Sequence, residues 1–227
     1  MEHVLDNPAW HALATNNNSL AHGNEHVKYF AKEVSPFFGL EVNSAENFQV
    51  LYDIVPHNGP VLFVTTSQTE LPAQWKVSRF ISGIQMVHHG EATAGATQTE
   101  LMTLADDHIP QMLHLTKLTN PGPFAERTID FGHYQGVFDG DKLVAMAGQR
   151  LHPGNYAEIS AVCTHPDYLG RGYARQLLLQ QVQRIKTNGE TPFLHVRDDN
   201  ERAINVYKSL GFETRTQIYF YVMAKNI

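Results

Sequence analysis

From Ala174 to Ile185 the apolar residues Ala174, Leu177, Leu178, Val182 and Ile185 recur at the spacing of one helical face. From Phe193 the period changes to strict alternation. Phe193, His195 and Arg197 fall on one face of a predicted strand, and Leu194 with Val196 on the other. Ala203, Ile204 and Tyr207 return to helical spacing after Asn200, a residue suited to cap that helix.

The same reading extends upstream. Glu100–Leu104 predicts a strand, and Asp106 and Asp107 can cap a helix running to about Leu118. The segment from Thr119 to Phe124 holds two prolines and a glycine and must be a loop. His133–Phe138 and Lys142–Leu151 flank Asp139-Gly140-Asp141, a hairpin signal, and a third strand runs from Tyr156 to about Thr164. Strand, helix, three antiparallel strands, helix, strand, helix and strand make an α+β fold. Its sheet is mixed, mostly antiparallel, and flanked by helices.

Residues 1–95 have a different texture and read as a smaller α/β domain, with the working domain at 96–227. Residues 8–34 are expected to be helical, interrupted at Asn16–Ser19. Val61–Val64 predicts a buried strand, and Trp75–Phe80 and Ile84–His88 two more. The small, polar run Gly90–Thr97 is the best linker candidate.

Composition narrows the function classes. At 227 residues, one large or two modest domains are expected. A formal net charge of -6 argues against nucleic acid as a partner, because phosphate backbones need a basic face. One cysteine, Cys163, excludes an internal disulfide. The thirteen histidines are scattered, away from the i, i+4 spacing of a helical zinc site, so no metal is expected. The start lacks a signal-peptide pattern, and no apolar run nears the ~20 residues that span a bilayer. A cytoplasmic protein without a membrane partner is expected, its oligomeric state open to a homodimer.

The chemistry concentrates at Leu169-Gly170-Arg171-Gly172-Tyr173-Ala174-Arg175. Glycines at 170 and 172 let the chain turn tightly and approach a ligand without Cβ obstruction. The free amides of the following helical turn suit a pyrophosphate, with Arg171 and Arg175 adding charge. A dinucleotide fingerprint would need a small residue at Arg175, and a P-loop would need Gly-Lys-Ser/Thr.

With its flanks, this segment resembles motif A of the GNAT superfamily of acyl-CoA N-acyltransferases, Gln/Arg-x-x-Gly-x-Gly/Ala, except that Leu169 takes the first position. Asn200 to Phe212 resembles the family's later motif, and the likeness covers residues ~98–227. The order of the parts is most similar to the glycine N-acyltransferase subgroup, with a degenerate N-terminal half. The resemblance implies acetyl-CoA as cosubstrate and a small amine or amino-terminal acceptor. It implies pantetheine along Val162, Cys163 and Thr164, and the pyrophosphate on residues 170–175. Asn200 could also bond the cofactor arm.

The resemblance offers two bases. Glu158 leads, because a carboxylate part-buried between strands would have a raised pKa. His195 is its rival, because histidine is the side chain whose reference pKa, near ~6.5, fits the task without tuning. Tyr207 takes the position of the acid that protonates the departing thiolate. Cys163 near His165 raises a covalent route, but a small buried hydrophobe is the simpler reading. Phe124, Tyr219 and Tyr221, in the Pro121–Phe124 loop and a last hairpin, are candidate acceptor-pocket residues. The alternative from another class is an acyl-CoA-binding regulatory module without chemistry.

Overall fold

The computed structural model describes residues 3–90 and 99–226. In chain order it carries α1 (Pro8–Ala14), β1 (Ala21–Gly23), β2 (Val27–Phe30), β3 (Phe38–Leu40), α2 (Ala45–Ile54), β4 (Val61–Thr65) and β5 (Trp75–His88). Then come β6 (Met102–Thr103), α3 (Ile109–Thr119), β7 (Gln135–Asp139), β8 (Lys142–Gln149) and β9 (Tyr156–Thr164). Last are α4 (Tyr173–Thr187), β10 (Thr191–Arg197), α5 (Glu201–Ser209) and β11 (Phe212–Lys225). The first three strands form a small antiparallel sheet of their own. The other eight form one sheet in the order β4-β11-β5-β10-β9-β8-β7-β6. Every pairing in it is antiparallel except that of β9 with β10. The expected mixed, mostly antiparallel fold flanked by helices is what forms.

The N-terminal expectations need correction. Residues 8–34 are not a long helix: α1 stops at Ala14, and the chain enters the β1–β2 hairpin. There the Asn24 side chain accepts from the amides of His26 and Val27 at 2.9 Å each, a local bond that competes with helix. Trp75–Phe80 and Ile84–His88 are one strand of 14 residues. Gly83 between them is no break: a Cβ there would lie 2.7 Å from the Val196 carbonyl, so the glycine admits β10. The strand expected at Glu100–Leu104 shrinks to two residues. No final hairpin forms, because residues 212–225 are a single strand paired with β4 and β5. The boundary set at 95/96 therefore separates strands of one sheet, not two sheets, since β5 lies between β11 and β10. Most of the linker candidate lies outside the described residues.

Two apolar layers cover the large sheet. On one face α4 and α5 bury Leu178, Val182, Ile185 and Ile204 against Ala157, Ile159, Leu194 and Val196. Leu178 and Ile185 are fully buried, worth roughly 1.5–3 kcal/mol each. On the other face Leu5, Ala9 and Leu13 of the N-terminal segment join Met112 and Leu115 of α3 over Phe193 and Cys163. The N-terminal segment therefore roofs part of the sheet from which the candidate site is built.

Candidate active site

β9 and β10 separate early. Their parallel ladder joins only Thr191, Pro192 and Phe193 to Tyr156, Ala157 and Glu158. Beyond it β9 stays with β8, while β10 stays with β5. The β9 edge that faces the gap keeps main-chain N–H and C=O groups that an extended, amide-bearing arm can satisfy. A bulge sits at the same place. The register against β8 shifts between Met146 and Gly148, and Ala161 has φ 53°. Ala157 and Ile159 pack under α4, whereas Ala161 and Cys163 pack on the opposite face, so the bulge reverses the alternation. Val162 is half-buried on the α4 side, and the buried Thr164 hydroxyl oxygen has no hydrogen-bond partner.

The glycine turn lies at the start of α4. Gly170 and Gly172 have φ 79° and 80°, left-handed values that glycine adopts freely. A Cβ at Gly170 would meet nothing within 4 Å, so the surface beside the turn is open. The first helical bond runs from the Gln176 amide to the Gly172 carbonyl at 3.1 Å, leaving the amides of Tyr173, Ala174 and Arg175 without helical acceptors. Arg171 stacks on the Tyr168 ring at 4.6 Å, and Arg175 donates to the Ser209 hydroxyl at 3.2 Å. Leu169 is 49% exposed and offers no polar group. Open glycines, free amides and two arginines fit a diphosphate.

Glu158 and His195, chosen in sequence as rival bases, are in contact. Glu158 Oε1 lies 2.8 Å from His195 Nδ1. The carboxylate also accepts from Arg150 Nε at 2.9 Å, Arg150 Nη2 at 2.5 Å and the Leu151 amide at 3.2 Å. Glu158 is fully buried, not part-buried, and the expected direction of its pKa is reversed. Burial pushes it up, but the Arg150 guanidinium and His195 outweigh burial and hold the carboxyl well below the usual range. A carboxylate so stabilised is a weak base. It is well suited to holding a histidine.

Sequence reasoning missed the remaining partners. His195 Nε2 lies 3.0 Å from the Gln85 side-chain nitrogen, which also donates to the Leu5 carbonyl at 2.9 Å. Gln85 Oε1 accepts from Arg215 at 2.7 Å, and Arg215 pairs in turn with Asp6. The ring packs edge-on against Phe193 and Phe220. Arg150 and Gln85 belong to runs whose pattern signals only strand, and their pairing depends on three-dimensional register.

Tyr207 is half-buried against Phe212, and no hydrogen bond to its hydroxyl is present among the described residues. Burial pushes its pKa up to about 12, so it keeps its proton. Asn200 caps α5 by accepting from the Ala203 amide at 3.2 Å. Burial raises the Cys163 thiol to about 11, with Thr119 and the main chain at Met146 opposing. His165 turns instead to Lys142 and to the Asp167 amide, so no thiol–imidazole pair forms. Of the proposed lining residues, Tyr221 is core: its hydroxyl accepts from the Thr69 amide at 3.0 Å and its ring packs against Phe63. Tyr219 stacks on Phe80, and Phe124 packs on Tyr134. Among the described residues, no cluster of three metal-ligating side chains exists, and no helix is long and apolar enough to cross a membrane.

Known proteins share this chain's fold and parts of its sequence. Residues 134–221 match the family model described as FR47-like protein. The chain is 36% identical over 85 residues to the N-alpha-acetyltransferase RimI of Mycobacterium tuberculosis, covering 36% of this chain and 52% of that protein. It is 33% identical over 82 residues to the mycothiol acetyltransferase of Saccharomonospora viridis, covering 32% of this chain and 27% of that one. The chain thus spans about half or less of the curated relatives it matches. A crystal structure of a GNAT-family protein from Novosphingobium aromaticivorans aligns over 100% of both chains, at TM-score 0.92 and 29% identity. The chain has the GNAT fold, and over part of its length it is similar in sequence to acetyltransferases.

Proposed function

We propose that this GNAT-fold chain is an acyl-CoA-dependent N-acyltransferase that moves an acetyl group to a primary amine by direct attack in a ternary complex. The observation that carries the reading is the parting of β9 from β10 beside an open glycine turn at a helix start. The free β9 edge at Val162, Cys163 and Thr164 would hold the pantetheine arm, and the amides of residues 170–175 the diphosphate, with Asn200 near the arm. When bound, the cosubstrate supplies the thioester carbonyl that the amine attacks.

His195 is the base in this reading, and Glu158 holds it. Glu158 is too strongly stabilised as an anion to take a proton from an ammonium. Its contact with Nδ1 instead stabilises positive charge on the ring as Nε2 accepts the proton. Tyr207 keeps its proton through neutral pH and can deliver it to the leaving sulfur. Acceptors of the small-amine or amino-terminal kind suit the names of the relatives. The glycine N-acyltransferase-like subgroup is our reading of the order of parts.

One observation favours the second reading, a cofactor-binding module without chemistry. Glu158 is 0% exposed and the His195 side chain 3%, with both ring nitrogens already partnered. The test is acetyl-CoA affinity by calorimetry beside thiol release with an amine panel. Binding with turnover that collapses in His195→Gln supports the enzyme. Binding without turnover on any amine supports the module, and no binding overturns both.

A further inference from the structure

The hydrogen-bond logic around His195 can be read without knowing any proton position. Arg215 can only donate, so the Gln85 atom facing it at 2.7 Å is the amide oxygen. The Leu5 carbonyl can only accept, so the atom 2.9 Å from it is the amide nitrogen. The same NH2 group lies 3.0 Å from His195 Nε2. Its second hydrogen needs an acceptor there, and Nε2 must present a lone pair. Nδ1 then carries the proton and donates to Glu158. Gln85 is completely buried, and the two contacts that fix its orientation, to Arg215 and to the Leu5 carbonyl, are made by groups of fixed character.

We infer that Gln85 is a positioning residue that locks His195 as its Nδ1–H tautomer and reserves the Nε2 lone pair for the acceptor's N–H. The inference rests on His195 being the base. An ammonium N–H arriving at Nε2 replaces the Gln85 N–H, donor for donor, and then passes its proton to the ring. Glu158 contacts the ring from β9 and is itself held by Arg150, the residue after β8, and Arg215 with Asp6 anchors Gln85 from β11 and the N-terminal segment. Residues 3–6 are thereby tied, through two side chains, to the proposed base.

The experiment is long-range proton–nitrogen correlation on the full chain labelled with 15N-histidine. In the unaltered protein His195 Nδ1 should have the shift of a protonated ring nitrogen and Nε2 that of an unprotonated one. Gln85→Glu places an acceptor opposite Nε2 and should turn both into N–H, with kcat falling at least tenfold and acetyl-CoA affinity unchanged. Arg215→Met, which frees Gln85 without altering it, should mix the two tautomers and keeps the test available if Gln85→Glu fails to fold. A protonated Nε2 in the unaltered protein overturns the inference. So does a Gln85→Glu protein with unchanged ring shifts or unchanged kcat. Absence of turnover in the unaltered protein would count against the acyltransferase reading alone, since the ring shifts are read without substrate.

Discussion

Glu158 and His195 meet across the last rung of the parallel pairing of β9 with β10. Glu158 pairs with Phe193, and His195 lies two residues further along β10, just where the strands part. The 2.8 Å contact between Oε1 and Nδ1 bridges strands whose main chains no longer bond to each other. Charge, site and strand separation coincide at one point.

Glu158→Gln should cost about 3–5 kcal/mol of stability, because it leaves the Arg150 guanidinium buried without a counter-ion. Urea denaturation reads this directly. The double change Arg150→Met with Glu158→Gln should recover much of the loss, which a purely steric effect would not do.

The same carboxylate makes stability depend on pH in one direction. Its folded pKa lies below its unfolded value, so the contribution is complete above the ordinary carboxylate range, near 4.5, and is lost as pH falls further toward the folded pKa. Melting temperatures from pH 7 down to 3 should fall more steeply in the parent than in the double variant. Parallel curves would refute the assignment.

Gly172→Ala should destabilise by roughly 1–2 kcal/mol through its left-handed backbone rather than through crowding, since the nearest atom to a Cβ is 4.0 Å away. It should also weaken coenzyme A binding. Gly189→Ala, at φ 76° beyond the other end of α4, is the control: comparable destabilisation with affinity intact.

Tyr207→Phe removes a hydroxyl that bonds to no described residue, so stability should change by less than about 0.5 kcal/mol. Turnover should fall about 10²-fold or more at constant acetyl-CoA affinity. Equal kcat in the two proteins would remove Tyr207 from the mechanism.

Deleting residues 1–95 should prevent folding instead of releasing an active domain. The deletion removes β5, which separates β11 from β10. Amide exchange or circular dichroism on the truncated chain would show this.

The C-terminal elements were legible because each carries its own local signal. Helical spacing from Ala174 to Ile185 gave α4, Asp139-Gly140-Asp141 gave the β7–β8 turn, and Asn200 gave the α5 cap. Of the N-terminal elements Val61–Val64 was legible as β4, but most others were not, because their structure depends on remote partners. Gly83 reads as a break until Val196 is beside it, and β1 is too short for a period to appear. In the site, residue types were readable but relations were not. Sequence offers Glu158 and His195 as alternatives, whereas register brings them together and Arg150 inverts the proton affinity expected for the carboxylate. Gln85 and Arg215 carry no motif at all.

The placement of β5 between β10 and β11 has a consequence for how the protein is made. Residues 75–88 leave the ribosome well over a hundred residues before 212–225, the strand beside which they must settle. Until then one long edge stays open, and contacts so distant along the chain close slowly. A stalled or shortened translation product would present that edge to other chains, and holding it apart is work suited to a chaperone.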